Sequence, residues 1–181
     1  MKDNKVQKLI VTAFFAALIG IFAQITIPLP LIPITGQTLA IGLTATIIGK
    51  KYGTLSVLVY IFLGIIGIPL FSHMTSGIGI ILGPTGGYII GFIPTAYIIG
   101  LYLEKTKLTF SHALIANSIG MIITLCFGTT WLKYSADLSW IAAVISGALP
   151  FLIVGLMKAI IAAYIGVIVK KRLLQAKLII K

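Results

Sequence analysis

Few residues in this chain could carry chemistry. Its 181 residues hold three side-chain carboxylates, Asp3, Glu104 and Asp137, with two histidines, His73 and His112, and one cysteine, Cys126. General acid–base catalysis needs titratable groups within hydrogen-bond reach of one another, and none of the carboxylates lies in an apolar stretch beside another. Serine and threonine are plentiful, but none pairs with a histidine and a carboxylate as an activated nucleophile would. Metal-ligand spacing is absent. One cysteine gives neither a disulfide framework nor a Cys-rich metal site, and Cys126 reads as a small buried hydrophobe. No Walker A motif occurs, and the glycines of GIGIILG (Gly77 to Gly83) have the wrong spacing for a dinucleotide fingerprint. The chain is therefore expected to have no catalytic residues, metal or cofactor of its own.

Lys158 is different. It sits inside an apolar run, seven residues past Phe151 and 12 before Lys170, or about 10 Å and about 18 Å from those points along a helix. A cation at such depth in a bilayer costs about 2.5–3.5 kcal/mol. No acid in the chain is a span-embedded partner, and an anionic small molecule entering from outside would be a natural one. The alternative is a side chain that snorkels to the outer interface. Asn117 is a second polar group in an apolar stretch, and it either faces a ligand or ties two helices together. Proton-coupled transporters relay through buried Asp, Glu or His, and no such series exists here.

The elements that must position these residues follow from composition. Hydrophobic residues make up 59% and charged residues 9%, with a mean hydropathy of +1.15, against about 45–50% and about 25% in soluble domains. So much apolar surface cannot be hidden in a core of this size, and the chain reads as an all-α integral membrane protein. Charges and Pro/Gly clusters divide it, as a single membrane domain over 1–181, into six expected spans at about 9–27, 38–49, 53–71, 86–103, 111–132 and 141–169. The second is short, and the last is interrupted at Pro150. Only helices can span, because lipid offers the backbone no hydrogen bonds. The run from Leu9 to Ile27 follows Lys2, Lys5 and Lys8 but has no convincing cleavage site, so it is expected to stay as a span.

Cations collect on the cytoplasmic side of membranes. With the N-terminus inside, Lys2, Lys5, Lys8, Lys50, Lys51, Lys105, Lys107, Lys170, Lys171, Arg172, Lys177 and Lys181 all fall inside, 12 of the 14 cations. Both termini are thus expected to be cytoplasmic. The net charge of +11 is spread between spans rather than clustered with aromatics, so nucleic acid is not an expected partner. Two outer connections carry no charge: Ile27 to Thr38, stiffened by Pro28, Pro30 and Pro33, and the glycine-rich Ser72 to Gly87. Both suit lids packed over a cavity, or loops resting on the lipid interface. Ala13 and Ala17 share a face of the first span, with Gly20 continuing the stripe. Gly87 and Gly91 repeat the spacing, which permits close helix approach within the chain or with a partner. Trp131 and Trp140 read as anchors at the outer interface.

Several strings together resemble the BioY family: AQITIPLPLIPITGQTLA (Ala23 to Ala40), GIPLF (Gly67 to Phe71), GPTGGYIIGF (Gly83 to Phe92), ANxxG (Ala116 to Gly120) and PFLxxxLxKA (Pro150 to Ala159). Its members are biotin-specific substrate-binding (S) components of energy-coupling factor transporters. The resemblance implies six membrane helices, cytoplasmic ends, and a biotin pocket near the outer surface capped by the proline-rich loop. It implies that Thr35, Gly36, Gln37 and Thr38 line or close the pocket, with Tyr88, Asn117 and Lys158 completing it. Ala13 and Ala17 would dock on a transmembrane coupling subunit powered by two ATPases, so ATP would act only through partners. The location implied is the cell membrane of a prokaryote. The pattern departs at Gly155, three residues before Lys158, where the family commonly has an Asp. Ureido recognition would then fall to Gln37, Asn117, backbone carbonyls or water. A different small anionic vitamin on the same architecture, or a non-transport membrane assembly subunit, are the alternative readings.

Overall fold

The structure, a computed structural model, describes residues 3–176. Lys2, Lys177 and Lys181, counted above among the inner cations, lie outside the described residues. The elements run α1 (Asp3–Ala23), β1 (Thr26–Ile27), β2 (Ile34–Thr35), α2 (Gln37–Ile65), α3 (Ile78–Leu82), α4 (Gly86–Lys105), α5 (Phe110–Ser135), α6 (Trp140–Gly147) and α7 (Leu149–Gln175). Five helical stretches are long and apolar enough to cross a membrane: Lys5–Ala23, Gln37–Ile65, Gly86–Lys105, Phe110–Ser135 and Trp140–Gln175. Large apolar side chains such as Phe14, Phe62, Ile141 and Ile153 cover the outside of the bundle, as they must where the solvent is lipid.

α2 is two arms rather than one rod. Gly49 has φ 76° and ψ −176°, a combination open only to glycine, and the chain reverses there. Gln37 at the start of the first arm hydrogen-bonds Tyr60 near the end of the second. A side chain on Gly53 would press on the Ala45 backbone, so the arms touch. The carboxylate of Glu104 fastens the reversal by accepting the Lys50 backbone N–H (3.0 Å) and pairing with its ammonium (3.2 Å). Gly100 lets α4 meet the backbone of Gly49 and Lys50.

Several boundaries differ from the sequence reading. The helix after the reversal ends at Ile65, not Phe71. Phe71 belongs to a turn and is fully buried, packed edge-on against Tyr60 at 5.7 Å between ring centres. The break in the last segment falls at Ala148, and Pro150 stands in the first turn of α7, where its missing N–H costs nothing. Gly87 and Gly91 face Phe127 and Trp131 of α5, so this pair serves packing inside the chain, and α4 and α5 form the most extensive helix contact. Ala13 and Ala17 are exposed, but Gly20 turns inward onto Leu70 and is not part of their stripe. Cys126 is exposed, contrary to its reading as a buried hydrophobe.

Candidate functional site

The connection between α1 and α2 forms a small antiparallel hairpin, pairing Thr26 with Thr35 and Ile27 with Ile34; with the isolated Phe71–Thr75 bridge it is the β structure among the described residues. Prolines on its free segment keep it extended. Its second strand runs straight into α2, which brings Thr35, Gln37 and Thr38 onto α7. There the Lys158 ammonium donates to the Thr35 carbonyl (2.7 Å) and to the Thr38 hydroxyl (3.3 Å). The Thr35 hydroxyl donates to the Gln37 side-chain carbonyl at 2.7 Å, and the Gln37 amide donates to the Tyr60 hydroxyl.

A second brace comes from the end of α1. The Gln24 amide donates to the carbonyls of Leu70 (3.3 Å) and Phe71 (3.0 Å), and its oxygen accepts the Met74 N–H (2.9 Å). Trp131 donates from its indole to the Gly83 carbonyl at 2.9 Å. It therefore pins the second loop and is more than an interfacial anchor.

Beneath these loops lies a cavity of about 900 Å³, open solvent at its mouth included. Ile32 and Pro33 roof it from the hairpin, and Ser72 and Thr85 from the second loop. The walls are one face each of three helices. Tyr88, Phe92, Thr95 and Ile99 come from α4, Asn117, Met121 and Thr124 from α5, and Phe151, Gly155 and Lys158 from α7. Intervals of three and four residues in each set mark a single helical face.

Of the residues singled out from sequence, Thr35, Gln37, Thr38, Tyr88, Asn117 and Lys158 line this one cavity. Gly36 is not among its lining residues. It packs against the Phe22 carbonyl, where any side chain would collide, and its N–H donates to Ile25 at 2.9 Å. Tyr88 presents its ring to the cavity while its hydroxyl donates to the Gly147 carbonyl at 2.6 Å. Asn117 does both things considered for it: it lines the cavity, and its amide donates to Thr46 (3.1 Å) and the Ala113 carbonyl (2.9 Å). The Lys158 cation is neither bare nor turned out to the interface. It is held by neutral oxygens inside the cavity, and no carboxylate lines the space.

Sequence reasoning passed over Thr95 and Thr124, whose hydroxyls lie 2.8 Å apart while Thr95 donates to the Gly120 carbonyl (3.1 Å). The helical interval from Asn117 to Thr124 was the available signal. The position three before Lys158 is Gly155, and a side chain there would meet the Met121 sulfur. Met121 thus fills the space an Asp would take.

An apolar cavity with one cation and a few fixed polar groups under two braced loops, carried in a bundle of membrane-length helices, defines a membrane protein that holds a small molecule with an apolar body and a polar or anionic end. The chain belongs to the BioY family, whose model matches residues 1–175. It is 37% identical over 166 residues to a protein of Lactococcus lactis subsp. cremoris named biotin transporter BioY2, covering 92% of this chain and 91% of that one. It is 40% identical over 166 residues to the biotin transporter BioY of Thermotoga maritima, covering 91% and 96%. A crystal structure described as the S-component for biotin from an ECF-type ABC transporter superposes with a TM-score of 0.88 at 31% identity, covering 94% of each chain.

Proposed function

We propose that this chain is a single-domain, biotin-binding membrane subunit of a vitamin importer, a binding component and not an enzyme. The observation that carries the reading is the convergence of Lys158, Thr35, Thr38, Gln37, Tyr88 and Asn117 on one apolar cavity. Biotin suits it: the bicycle and aliphatic chain match the apolar walls, and the carboxylate matches a cation that now bonds only neutral oxygens. In this reading the Gly49 reversal divides α2 into two crossings, giving six in all. The lysine-rich end faces the cytoplasm of a prokaryotic cell, both termini included, and the proline-rich hairpin caps the pocket from outside. Biotin is captured there and delivered inward with a transmembrane coupling subunit and two ATPase subunits, which supply the ATP hydrolysis.

The test is equilibrium binding of labelled biotin to the purified protein in detergent, wild type beside Lys158→Ala. Tight, saturable binding by the wild type is expected. Loss of hydrogen bonds to a charged group of about 1.5–3 kcal/mol weakens the variant by roughly 10- to 100-fold. Absence of binding by folded wild type would overturn the ligand and leave the fold standing. Binding of another small anionic vitamin in its place would then follow from the missing Asp at Gly155.

A further inference from the structure

The opposite end of the bundle holds a second cavity, sharing no lining residue with the first, of about 1900 Å³ with open solvent included. Four segments supply its cations. α1 supplies Lys8, the Gly49 reversal supplies Lys51 and Tyr52, the α4–α5 connection supplies Lys107, and α7 supplies Lys170. The only carboxylate in its lining is Glu104. That carboxylate is already engaged by the Lys50 ammonium and backbone N–H, and it faces Lys170 as well. The cations of this cavity therefore outnumber the counter-charge the described chain provides.

Two of them are gathered around one ring, with the Lys8 and Lys51 ammonium groups 5.7 Å and 5.6 Å from the centre of Tyr52. Each ammonium lies within cation–π reach of the ring, so the two concentrate positive charge at this rim. On the membrane side of these cations the lining turns apolar, with Val11, Ile47 and Leu103. A cationic rim above apolar walls, at the level where charged residues leave the membrane, complements a phosphate that carries hydrocarbon below it. Basic pockets between membrane helices recognise anionic headgroups in this way.

We propose that this cavity is a binding site for the phosphodiester headgroup of an anionic glycerophospholipid. Lys51 and Lys107 grip the phosphate from the exposed side, Lys8 and Lys170 from within, and the apolar walls take the first methylenes of the acyl chains. The site lies at the end carrying the Gly49 reversal, so an occupied headgroup would brace α1, α2, α4 and α7 against one another.

The experiment titrates the full chain in a non-ionic detergent with dioctanoyl phosphatidylglycerol, read by native mass spectrometry. Dioctanoyl phosphatidylcholine and inorganic phosphate are titrated in parallel. Saturable binding of the anionic lipid is expected, weakened by about tenfold or more in Lys51→Gln/Lys107→Gln. Lys105→Gln/Lys171→Gln removes the same charge from the same end outside the cavity and should leave binding unchanged. Should the first double variant misfold by gel filtration, Lys107→Gln alone, on an exposed connection, gives a smaller loss in the same direction. Equal loss in both double variants would overturn the site in favour of diffuse surface charge. Equal affinity for phosphatidylcholine would overturn the role of net negative charge. Inorganic phosphate binding as tightly as the lipid would overturn the lipid source and leave a soluble phosphate as ligand.

Discussion

At the scale of single residues, the roof of the cavity hangs on polar bonds made by Lys158, Thr35 and the buried Gln37. The Gln37 amide donates to the Tyr60 hydroxyl, and both side chains are buried. Tyr60→Phe keeps the ring and its edge-on contact with Phe71 but strands a buried donor, which costs about 1–3 kcal/mol. The variant should melt at a clearly lower temperature in detergent, as followed by thermal unfolding. An unchanged melting temperature would mean that Gln37 finds another acceptor and that the hairpin is held by Lys158 alone. Lys158 was legible in the sequence because a lone cation in an apolar run is expensive and calls for a reason. Thr95 and Thr124 were not. A threonine inside a span can satisfy itself on its own helix, as Thr44 does on the Ala40 carbonyl at 2.6 Å, so its presence says nothing about direction.

At the scale of elements, the Gly49 reversal sets where both cavities lie, since one arm of α2 reaches the cavity under the hairpin and the turn itself lines the basic pocket. Its backbone angles belong to a region that costs other residues about 1–3 kcal/mol. Gly49→Ala would also place a Cβ 2.8 Å from the Glu104 carboxylate. Glu104 and Lys50 are both more than a third exposed, so their ion pair alone contributes little. Gly49→Ala should therefore lower the melting temperature more than Glu104→Gln does in the same thermal scan. The reverse order would show that the carboxylate, not the backbone, holds the turn. The turn was readable from Lys50 and Lys51, two adjacent charges whose placement at membrane depth would be costly. The end of the next helix was not readable, because Ile66 to Phe71 is apolar for a different reason: Phe71 fills the core beneath a loop. Hydropathy does not separate lipid-facing from core-facing residues, which is also why Cys126 proved exposed.

At the scale of the whole molecule, the open question is which side of the bundle meets a partner. α1 packs Phe15, Ala16 and Ile19 inward, and leaves Ala13 and Ala17 exposed beside Ile10 and Phe14. Because neither alanine is buried or lines the cavity under the hairpin, enlarging them leaves the core and that cavity untouched. A face that meets only lipid tolerates added apolar bulk, whereas a face that meets another helix through small residues does not, since close backbone approach is what those residues permit. Ala13→Trp/Ala17→Trp should thus bind labelled biotin and melt as the wild type does. In cells that express the coupling subunit and ATPases proposed above, ATP-dependent biotin uptake should fall by about tenfold or more, the equivalent of about 1.4 kcal/mol of docking. Unchanged uptake would assign this face to the bilayer. Loss of biotin binding together with uptake would instead make the face part of the fold, against its exposure, and would move the search for the docking surface to the exposed side of α7, where Ile153, Met157 and Ile161 stand free.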